Sequence, residues 1–417
     1  MTHLGATTVR APGLILVEHE FSVPLDHSHP DGDTITVFAR EVADPEGRDR
    51  PFLVYLQGGP GHEAPRPTRL PTSPVWLDRA LQDYRVLMVD QRGTGRSTPL
   101  CVVPSTSAQE QADRLVHFRA DSIVADCEVI RADLGLERWS VLGQSFGGFC
   151  ALNYLSRASG SLREAFFTGG VPPVGRHIDE VYAATYATMR ERNRRYHATY
   201  SDDRDRLHRL LDLCDAGDVL LPNGDAVTAR RLRQIGNRLG MSDGAAHVHY
   251  LLEREPGSPA FAHDLAAAMP FQGRNPLYAV IQEACYADGH ATRWAARRTM
   301  PEDFRDDPTL LTGEHVHPWT FEDDSELAPL ADIAELLAEH EWPRLYDADV
   351  LREVDVSCAA AVYAEDAYVD RVFSEETARL IPTMRTWVTN ELEHNGLGVD
   401  GERVLDRLIG LARGRLA

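Results

Sequence analysis

Cysteine is scarce in this sequence of 417 residues, and its six cysteines include no Cys-x-x-Cys pair. This spacing argues against a compact disulfide framework and against a zinc knuckle, because both need cysteines at short, regular intervals. We therefore expect reduced thiols and a cytoplasmic protein. The cysteines are Cys101, Cys127, Cys150, Cys214, Cys285 and Cys358.

Long apolar runs are also missing. No segment approaches the roughly 18 consecutive apolar residues of a membrane-spanning helix. The stretch from Met1 to Phe21 has no continuous apolar run behind a basic start, which a secretory signal peptide would show. We predict a soluble protein with no membrane partner and no export by the usual route.

Basic residues are outnumbered, with 43 Lys and Arg against 64 Asp and Glu, which gives a formal net charge of -21. Binding to nucleic acid needs clustered basic side chains that neutralise phosphates, so we expect no nucleic-acid partner. The acidity has two explanations. It either serves solubility or marks an acidic mouth that attracts a cationic substrate.

Internal repeats and low-complexity linkers are absent as well, and the length favours one large domain with an insertion, or two domains. Short β-branched and apolar runs at 33–42, 51–57, 84–90 and 138–143 end at or near Gly, Pro, Asp or another polar residue, as buried strands do. Helical patterns stand between them, for example at 121–136. Alternation of this kind predicts a parallel α/β sheet.

The pattern becomes mostly helical in the middle of the chain, and strand patterns return at 356–366 and 384–391. The sheet is therefore expected to be interrupted and then completed. We predict a core built from residues 1–174 and 348–417, with a helical insertion at 175–347.

The pentapeptide Gly-Gln-Ser-Phe-Gly places Gly143 and Gly147 two positions either side of Ser145. A serine hydroxyl is a poor nucleophile unless a base takes its proton and donors face the developing oxyanion. A tight turn from strand to helix presents the serine, and residues two positions away must then lack colliding side chains. The apolar run before Ser145 and the small-residue helix after it supply that context. We predict that Ser145 is a nucleophile; an ordinary Gly-rich turn is the alternative.

A second Gly-rich loop, Gly58-Gly59-Pro60-Gly61, follows the predicted strand at 51–57. In sheet enzymes of this kind, the loop after this strand supplies a backbone N–H to the oxyanion hole. The residue after the nucleophile supplies another. We therefore predict an oxyanion hole made by Gly58, Gly59 and Phe146, with a plain β-turn as the alternative for the loop.

A base and an acid should follow the serine in the order acid, then histidine, each just beyond a late strand. His394 follows the last predicted strand and is the predicted base. Asp366 follows the strand before it and is the predicted acid, ahead of Asp370 and Glu365.

The two His-Val-His runs, at 247–249 and 315–317, suggest metal binding. Histidines two positions apart on a helix point in different directions, however, and no acidic residue at ligand spacing completes either run. We predict neither a metal nor another cofactor.

Together these residues resemble a known family, the prolyl aminopeptidases (proline iminopeptidases) of the α/β-hydrolase superfamily. The resemblance covers nearly the whole chain, and the middle region is similar to the branch with a larger cap. The sequences that carry it are QGGPG (57–61), DQRGTGRS (90–97), GQSFGG (143–148), EACYADG (283–289), TGEHVHPWTFED (312–323), YAEDAYVD (363–370) and WVTNELEHNGL (387–397).

The resemblance implies an α/β-hydrolase fold with a mostly parallel sheet and an inserted helical cap. It implies release of N-terminal proline from short peptides through an acyl-enzyme. Family members hold the substrate amine with cap glutamates, and the matching positions here are Glu283 and, less closely, Glu314. The sequence departs from the commoner pattern at Gln57, where many members have histidine, which leaves the geometry of the oxyanion hole open.

Other functions remain compatible with the same residues. An esterase acting on a neutral small molecule would share the triad but have no use for Glu283, and a tripeptidyl aminopeptidase would need a deeper pocket. A catalytically silent binding protein of this fold is a further alternative. The sequence leaves the oligomeric state unknown.

Overall fold

The computed structural model describes residues 3–100 and 105–416, which contain a nine-stranded sheet and a separate two-stranded hairpin. Cys101 lies outside the described residues. The strands are β1 (His3–Ala11), β2 (Leu14–Pro24), β3 (Thr34–Ala43), β4 (Phe52–Leu56), β5 (Thr68–Arg69), β6 (Thr72–Ser73), β7 (Arg85–Asp90), β8 (Trp139–Gln144), β9 (Leu162–Thr168), β10 (Ser357–Tyr363) and β11 (Met384–Thr389).

The sheet order is β1-β2-β3-β7-β4-β8-β9-β10-β11. Pairing is antiparallel from β1 to β7 and parallel from β7 to β11. The sheet is therefore mostly parallel, as predicted. Because the carboxyl ends of parallel strands meet at one edge of a sheet, residues that follow β4, β8, β10 and β11 can converge there.

Helices precede and follow the strands of the core and fill the interval between β9 and β10. The core helices are α1 (Leu77–Asp83), α2 (Ala108–Leu115), α3 (Ala120–Asp133), α4 (Phe146–Ala158), and, after the insertion, α15 (Ala348–Arg352), α16 (Arg371–Leu380), α17 (Gly396–Val399) and α18 (Gly401–Ala412).

We refer to residues 175–347 as the cap; its described helices lie between β9 and β10, and its exact boundaries stay a prediction. They are α5 (Ile178–Thr199), α6 (Asp203–Ala216), α7 (Ala229–Leu232), α8 (Gly244–Leu252), α9 (Pro259–Ala268), α10 (Pro276–Ile281), α11 (Ala295–Arg298), α12 (Glu302–Asp306), α13 (Thr320–Asp323) and α14 (Ala331–Glu339). Short 3-10 helices span Val116–Phe118, Ser159–Ser161, Arg233–Gly240, Glu283–Tyr286 and Ala328–Leu330.

The core lies on both faces of the sheet. All five residues of β4 are buried, and alternate side chains join different apolar clusters. Val54 and Leu56 pack with the cluster that includes α3, α4 and the cap, whereas Leu53 and Tyr55 pack with α1 and α18. Burial on both faces explains why the strand reads as a continuous apolar run.

The two-residue strands β5 and β6 were not predicted from the sequence, nor were three strands of the nine-stranded sheet. The first two, β1 and β2, form a hairpin through Gly13, which has φ +71°. Most of β1 is exposed, so no buried face leaves an apolar pattern in its sequence. The third, β9, immediately precedes the cap, where the change of pattern obscured it. No helix in the described part of the chain has both the length and the apolar character that crossing a membrane requires.

Candidate active site

Ser145 occupies a strained turn between β8 and α4. Its backbone has φ 54° and ψ -122°, a conformation that residues other than glycine seldom adopt. A Cβ on Gly143 would stand 2.3 Å from the carbonyl oxygen of Gly147, and a Cβ on Gly147 would stand 1.8 Å from that of Leu56. The glycines therefore flank Ser145 because no side chain fits at either position.

Ser145, His394 and Asp366 form a continuous hydrogen-bonded chain. The Nε2 atom of His394 lies 2.8 Å from Ser145 Oγ, and its Nδ1 lies 3.0 Å and 2.8 Å from the two carboxylate oxygens of Asp366. Because a carboxylate only accepts, Nδ1 carries the proton and Nε2 is free to take one from the serine. This is the arrangement of a nucleophile, a base and an orienting acid.

His394 is held in place from several sides. The Gln144 amide donates to its carbonyl oxygen (3.2 Å), and its own N–H donates to the carbonyl of Gly240 in the cap (3.4 Å). The Tyr368 ring lies 4.3 Å from the imidazole, centre to centre. Burial lowers the pKa of His394, but the charge and hydrogen bond of Asp366 outweigh it, so the net pKa is raised above the usual value.

Asp366 differs from the two other acids considered for its role. One of its oxygens also accepts the backbone N–H groups of Tyr368 (2.8 Å) and Val369 (3.0 Å), which fix its orientation. Asp370 instead caps the N-terminus of α16, and Glu365 pairs with Arg195 on the surface. Their side chains are thus committed elsewhere.

The Gly-rich loop after β4 lies against the nucleophile. Gly58 is so close that a Cβ there would stand 3.1 Å from Ser145 Cβ, and Gly58 and Gly59 both line the cavity beside it. Phe146 is the first residue of α4, so its N–H is one of the helix's N-terminal donors. The predicted oxyanion donors therefore surround Ser145, although their role stays a proposal.

The DQRGTGRS sequence at 90–97 forms hydrogen bonds that hold the Gly-rich loop after β4. Asp90 is fully buried and accepts two hydrogen bonds from the Arg66 guanidinium, each 3.0 Å long. The Gln91 amide donates to the carbonyl oxygen of Gln57 (3.1 Å). Two-point contacts of this kind fix geometry as well as position. We infer that the motif holds the loop next to Ser145.

A cavity of about 390 Å³ opens beside Ser145 and His394. Glu314 lies on its wall, where it accepts hydrogen bonds from the Tyr278 hydroxyl and from the Gln282 amide (2.5 Å). Burial raises the pKa of Glu314 to about 7 although both hydrogen bonds lower it. The carboxylate is thus a poorly solvated acceptor next to the reacting atoms.

Glu283 lies elsewhere. Its carboxylate accepts the backbone N–H groups of Ala295 (3.1 Å) and Ala296 (2.8 Å) at the start of α11, and it is not among the described residues that line the cavity. Burial raises its pKa to about 7 as well. Of the two glutamates expected to hold an amine, the structure places Glu314 at the cavity and gives Glu283 a contact within the cap.

Sequence reasoning missed Tyr278, Gln282 and Tyr368 as parts of the site. Tyr368 follows Asp366 by two residues, so the YAEDAYVD sequence contained a signal for it. Gln282 precedes Glu283 directly, but nothing in the sequence says which of the two side chains contacts Glu314. Tyr278 lies in α10, which has no distinctive motif.

An acidic mouth, one of the two explanations of the net charge, is not found at this cavity. Among the charged residues on its described wall, Glu314 is accompanied by two arginines, Arg238 and Arg274. The histidines of the two His-Val-His runs lie away from the wall, and no group of three or more His, Cys, Asp or Glu side chains within residues 3–100 and 105–416 is placed to hold a metal ion.

Comparison with known proteins identifies relatives along the whole chain. A model of the alpha/beta hydrolase fold family matches residues 51–255. A proline iminopeptidase of Aeromonas sobria is 46% identical over 422 aligned residues, which cover 96% of this chain and 97% of that protein. A proline iminopeptidase of Aspergillus aculeatus is 33% identical over 96% of this chain and 94% of its own.

A crystal structure of a proline iminopeptidase from Mycobacterium smegmatis is 15% identical, covers 95% of this chain and 100% of its own, and has a TM-score of 0.44. The identity of 46% extends over nearly the full length of both chains, so it includes core and cap alike. The chain therefore belongs to the proline iminopeptidase family of α/β-hydrolase-fold proteins.

Proposed function

We propose that the protein is a serine exopeptidase that releases proline from the N-terminus of short peptides. The observation that carries this proposal is the placement of a buried carboxylate, Glu314, on the wall of the cavity that also holds Ser145 and His394. A triad alone supports hydrolysis of any acyl compound. A desolvated carboxylate beside it supports recognition of a cation, and a peptide carries one at its free amino terminus.

The chemistry follows from the hydrogen-bonded chain. Ser145 Oγ attacks the carbonyl carbon of the first residue while His394 Nε2 takes its proton. The oxyanion that forms is stabilised by backbone N–H groups, for which Phe146, Gly58 and Gly59 are the candidates. His394 then gives its proton to the departing amine, and Asp366 stabilises the imidazolium meanwhile. Water resolves the acyl-enzyme by the same steps.

Glu314 is the proposed partner of the substrate amine. Two donors, Tyr278 and Gln282, orient the carboxylate, and a substrate ammonium would add the opposite charge that it lacks in the free enzyme. Charged hydrogen bonds are stronger than neutral ones where water is excluded. Glu283 remains the second predicted amine ligand, but its contacts support a role in holding the cap.

The proposed setting is the cytoplasm. Five described cysteines are buried and none is in a disulfide, consistent with a chain that does not depend on an oxidising compartment. The proposed partners are short peptides with N-terminal proline, and the excess of acidic residues disfavours nucleic acid.

The first test is turnover of proline β-naphthylamide, its N-acetylated form and p-nitrophenyl acetate by the wild type and by Ser145→Ala. We expect release from the free-amine compound and little from the acetylated one. Ser145→Ala should lower kcat/KM by at least about 1,000-fold while the protein stays folded, because the nucleophile is removed. Turnover of the ester alone would instead favour an esterase.

The same assay separates the two glutamates. Glu314→Gln should lower kcat/KM for proline β-naphthylamide by about 10- to 100-fold, the cost of losing a charged partner for a buried ammonium, and should affect the ester little. Glu283→Gln makes the same chemical change off the cavity wall. An equal loss of amide turnover in both variants would restore Glu283 as an amine ligand.

Chain-length dependence distinguishes the tripeptidyl alternative. We expect release from the anilide of proline and not from those of Ala-Pro or Ala-Ala-Pro, because longer N-terminal extensions would move the amine past Glu314. Release only from the longest compound would contradict a prolyl exopeptidase and indicate a tripeptidyl aminopeptidase.

A further inference from the structure

The charged residues on the described cavity wall differ in whether an ion-pair partner neutralises them. Glu314 lies near the catalytic residues, whereas the side chains of Arg238 and Arg274 are exposed. Arg274 is paired with Glu63 at 2.5 Å and also contacts the Asn275 side chain. Its charge is therefore already neutralised by this protein.

Arg238 has no such partner. Its guanidinium donates to the carbonyl oxygen of Ala267 (2.6 Å), and no carboxylate in the described part of the chain lies within ion-pair distance of it. In a protein with a formal net charge of -21, an arginine at the cavity without an acidic partner is conspicuous. It leaves a local positive charge and donors that a substrate can use.

Contacts with the catalytic loops hold Arg238 in position. It belongs to the 3-10 helix Arg233–Gly240, whose last residue accepts the N–H of His394. The residue before Arg238, Asn237, accepts the Tyr368 hydroxyl through its carbonyl oxygen. The backbone on both sides of the arginine is thus bonded to segments that touch His394, so the fold fixes where the Arg238 side chain begins.

The direction of a bound peptide follows from the proposed function, on which this inference rests. With the substrate amine at Glu314 and the scissile carbonyl at Ser145, the residues after the proline must leave toward the open side of the cavity. Arg238 lies on the described wall of that same cavity. In an extended di- or tripeptide the terminal carboxylate is only roughly 7 to 10 Å from the amine, so both charged ends belong to one short ligand.

We propose that Arg238 binds a carboxylate of the leaving group and that the preferred substrates are therefore very short peptides with a free C-terminus. Glu314 and Arg238 recognise the two opposite charges of a zwitterionic peptide. An acidic side chain directly after the proline presents the same chemical group in nearly the same place. An amidated peptide has no such carboxylate, and a longer neutral peptide carries its terminal carboxylate farther from the proline.

The test compares kcat/KM for Pro-Gly-Gly, Pro-Gly-Gly amide, Pro-Glu amide and proline β-naphthylamide in the wild type, Arg238→Gln and Arg209→Gln. Arg209 is an exposed cap arginine on α6 without a carboxylate partner in the described structure and away from the cavity, so it matches the change of charge. We expect Arg238→Gln to lower kcat/KM for Pro-Gly-Gly about three- to tenfold, mainly through KM. Turnover of the amide and of the naphthylamide should change little.

Equal losses for Pro-Gly-Gly and its amide in Arg238→Gln, or an equal loss in Arg209→Gln, would overturn the proposal. Pro-Glu amide separates the two sources of the carboxylate. If kcat/KM for Pro-Glu amide falls as much as that for Pro-Gly-Gly in Arg238→Gln, Arg238 binds a carboxylate from either source. If kcat/KM for Pro-Glu amide does not change, Arg238 binds only the C-terminal carboxylate. Failure of the wild type to cleave proline β-naphthylamide would contradict the proposed function instead, because that compound has no carboxylate.

Discussion

Gly147 controls how closely α4 approaches β4. Its Cα faces the carbonyl oxygen of Leu56, and an added Cβ would stand 1.8 Å from that oxygen. The Leu56 oxygen belongs to the backbone and not to a flexible side chain, so only a backbone shift can relieve the clash. Such a shift would move Ser145 on one side and the loop that carries Gly58 on the other.

We therefore expect Gly147→Ala to lower the free energy of unfolding by about 3 kcal/mol and to reduce activity in the fraction that stays folded. Urea unfolding and kcat/KM measure the two effects. Gly160→Ala is the matched control, because a Cβ there would meet no atom within 4 Å. Wild-type stability and activity in Gly147→Ala would contradict this account of the turn.

At the residue level, the sequence predicted the positions that depend on local geometry. Ser145, Asp366 and His394 each follow a strand, and the structure brings the three within hydrogen-bond distance. The amine ligand was harder to choose between Glu283 and Glu314. Consecutive residues on a helix point about 100° apart, so the direction of each side chain depends on how the helix packs, which the sequence pattern does not give.

At the level of elements, Glu283 connects two short pieces of the cap. It lies in the 3-10 helix Glu283–Tyr286 and accepts two N–H groups at the start of α11, a helix of only four residues. A helix this short has little stability of its own, so such contacts matter for keeping it in place. A glutamine replaces one of the two carboxyl oxygens, each of which can accept a hydrogen bond, by an NH₂ group that only donates.

We expect Glu283→Gln to lower the free energy of unfolding by about 1–3 kcal/mol near pH 5 and by less near pH 8. The pKa of Glu283 is raised to about 7 in the folded state, so the folded protein binds the extra proton between about pH 4.5 and 7. The contribution of Glu283 to wild-type stability must therefore fall as pH rises through this range, by up to about 3 kcal/mol, and the variant lacks this fall.

Chemical unfolding at several pH values measures this difference. Glu314 contributes the same trend to both proteins, so subtraction removes it. Glu339→Gln, an exposed cap glutamate paired with Arg293, serves as the control and should show no pH-dependent difference. A constant difference between Glu283→Gln and the wild type from pH 5 to 8 would contradict the raised pKa, because it would show that Glu283 does not titrate in this range.

Most of the strands that could be predicted from the sequence are buried. Strands β4, β7, β8, β10 and β11 are flanked by clear breaks and carry apolar residues, and they were predicted. The exposed hairpin strand β1 was not, because its pairing with β2 rather than a buried face makes it a strand. The many short helices of the cap pack by tertiary contacts, so the sequence indicated only a helical region there.

For the molecule as a whole, the reactivity of the described cysteines distinguishes the folded from the unfolded protein. All five are buried and free, and burial raises the thiol pKa of Cys214 and Cys358 to about 12 and that of the other three also. A thiol reacts as its thiolate, so both access and ionisation are denied to reagents in the native state. Cys101 lies outside the described residues.

We expect at least five of the six thiols to react with Ellman's reagent near pH 8 only after unfolding in guanidinium chloride. The native protein should release at most the signal of Cys101, which Cys101→Ser would remove. Rapid reaction of two or more thiols in the native protein would contradict the burial, and fewer than six in the unfolded, unreduced protein would reveal a disulfide.

The cap separates Ser145 from Asp366 and His394 along the chain, so the three residues of the triad are synthesised at different times. Ser145 and His394 are 249 positions apart, and Asp366 and His394 are 28 apart. During synthesis at about 5–20 residues per second, the proposed nucleophile precedes its proposed base by about 12 to 50 seconds. Throughout that interval the growing chain holds a serine with no partner to take its proton. In the proposed mechanism, therefore, the nascent peptidase has no base for Ser145 until the last strand and the loop after it have been made.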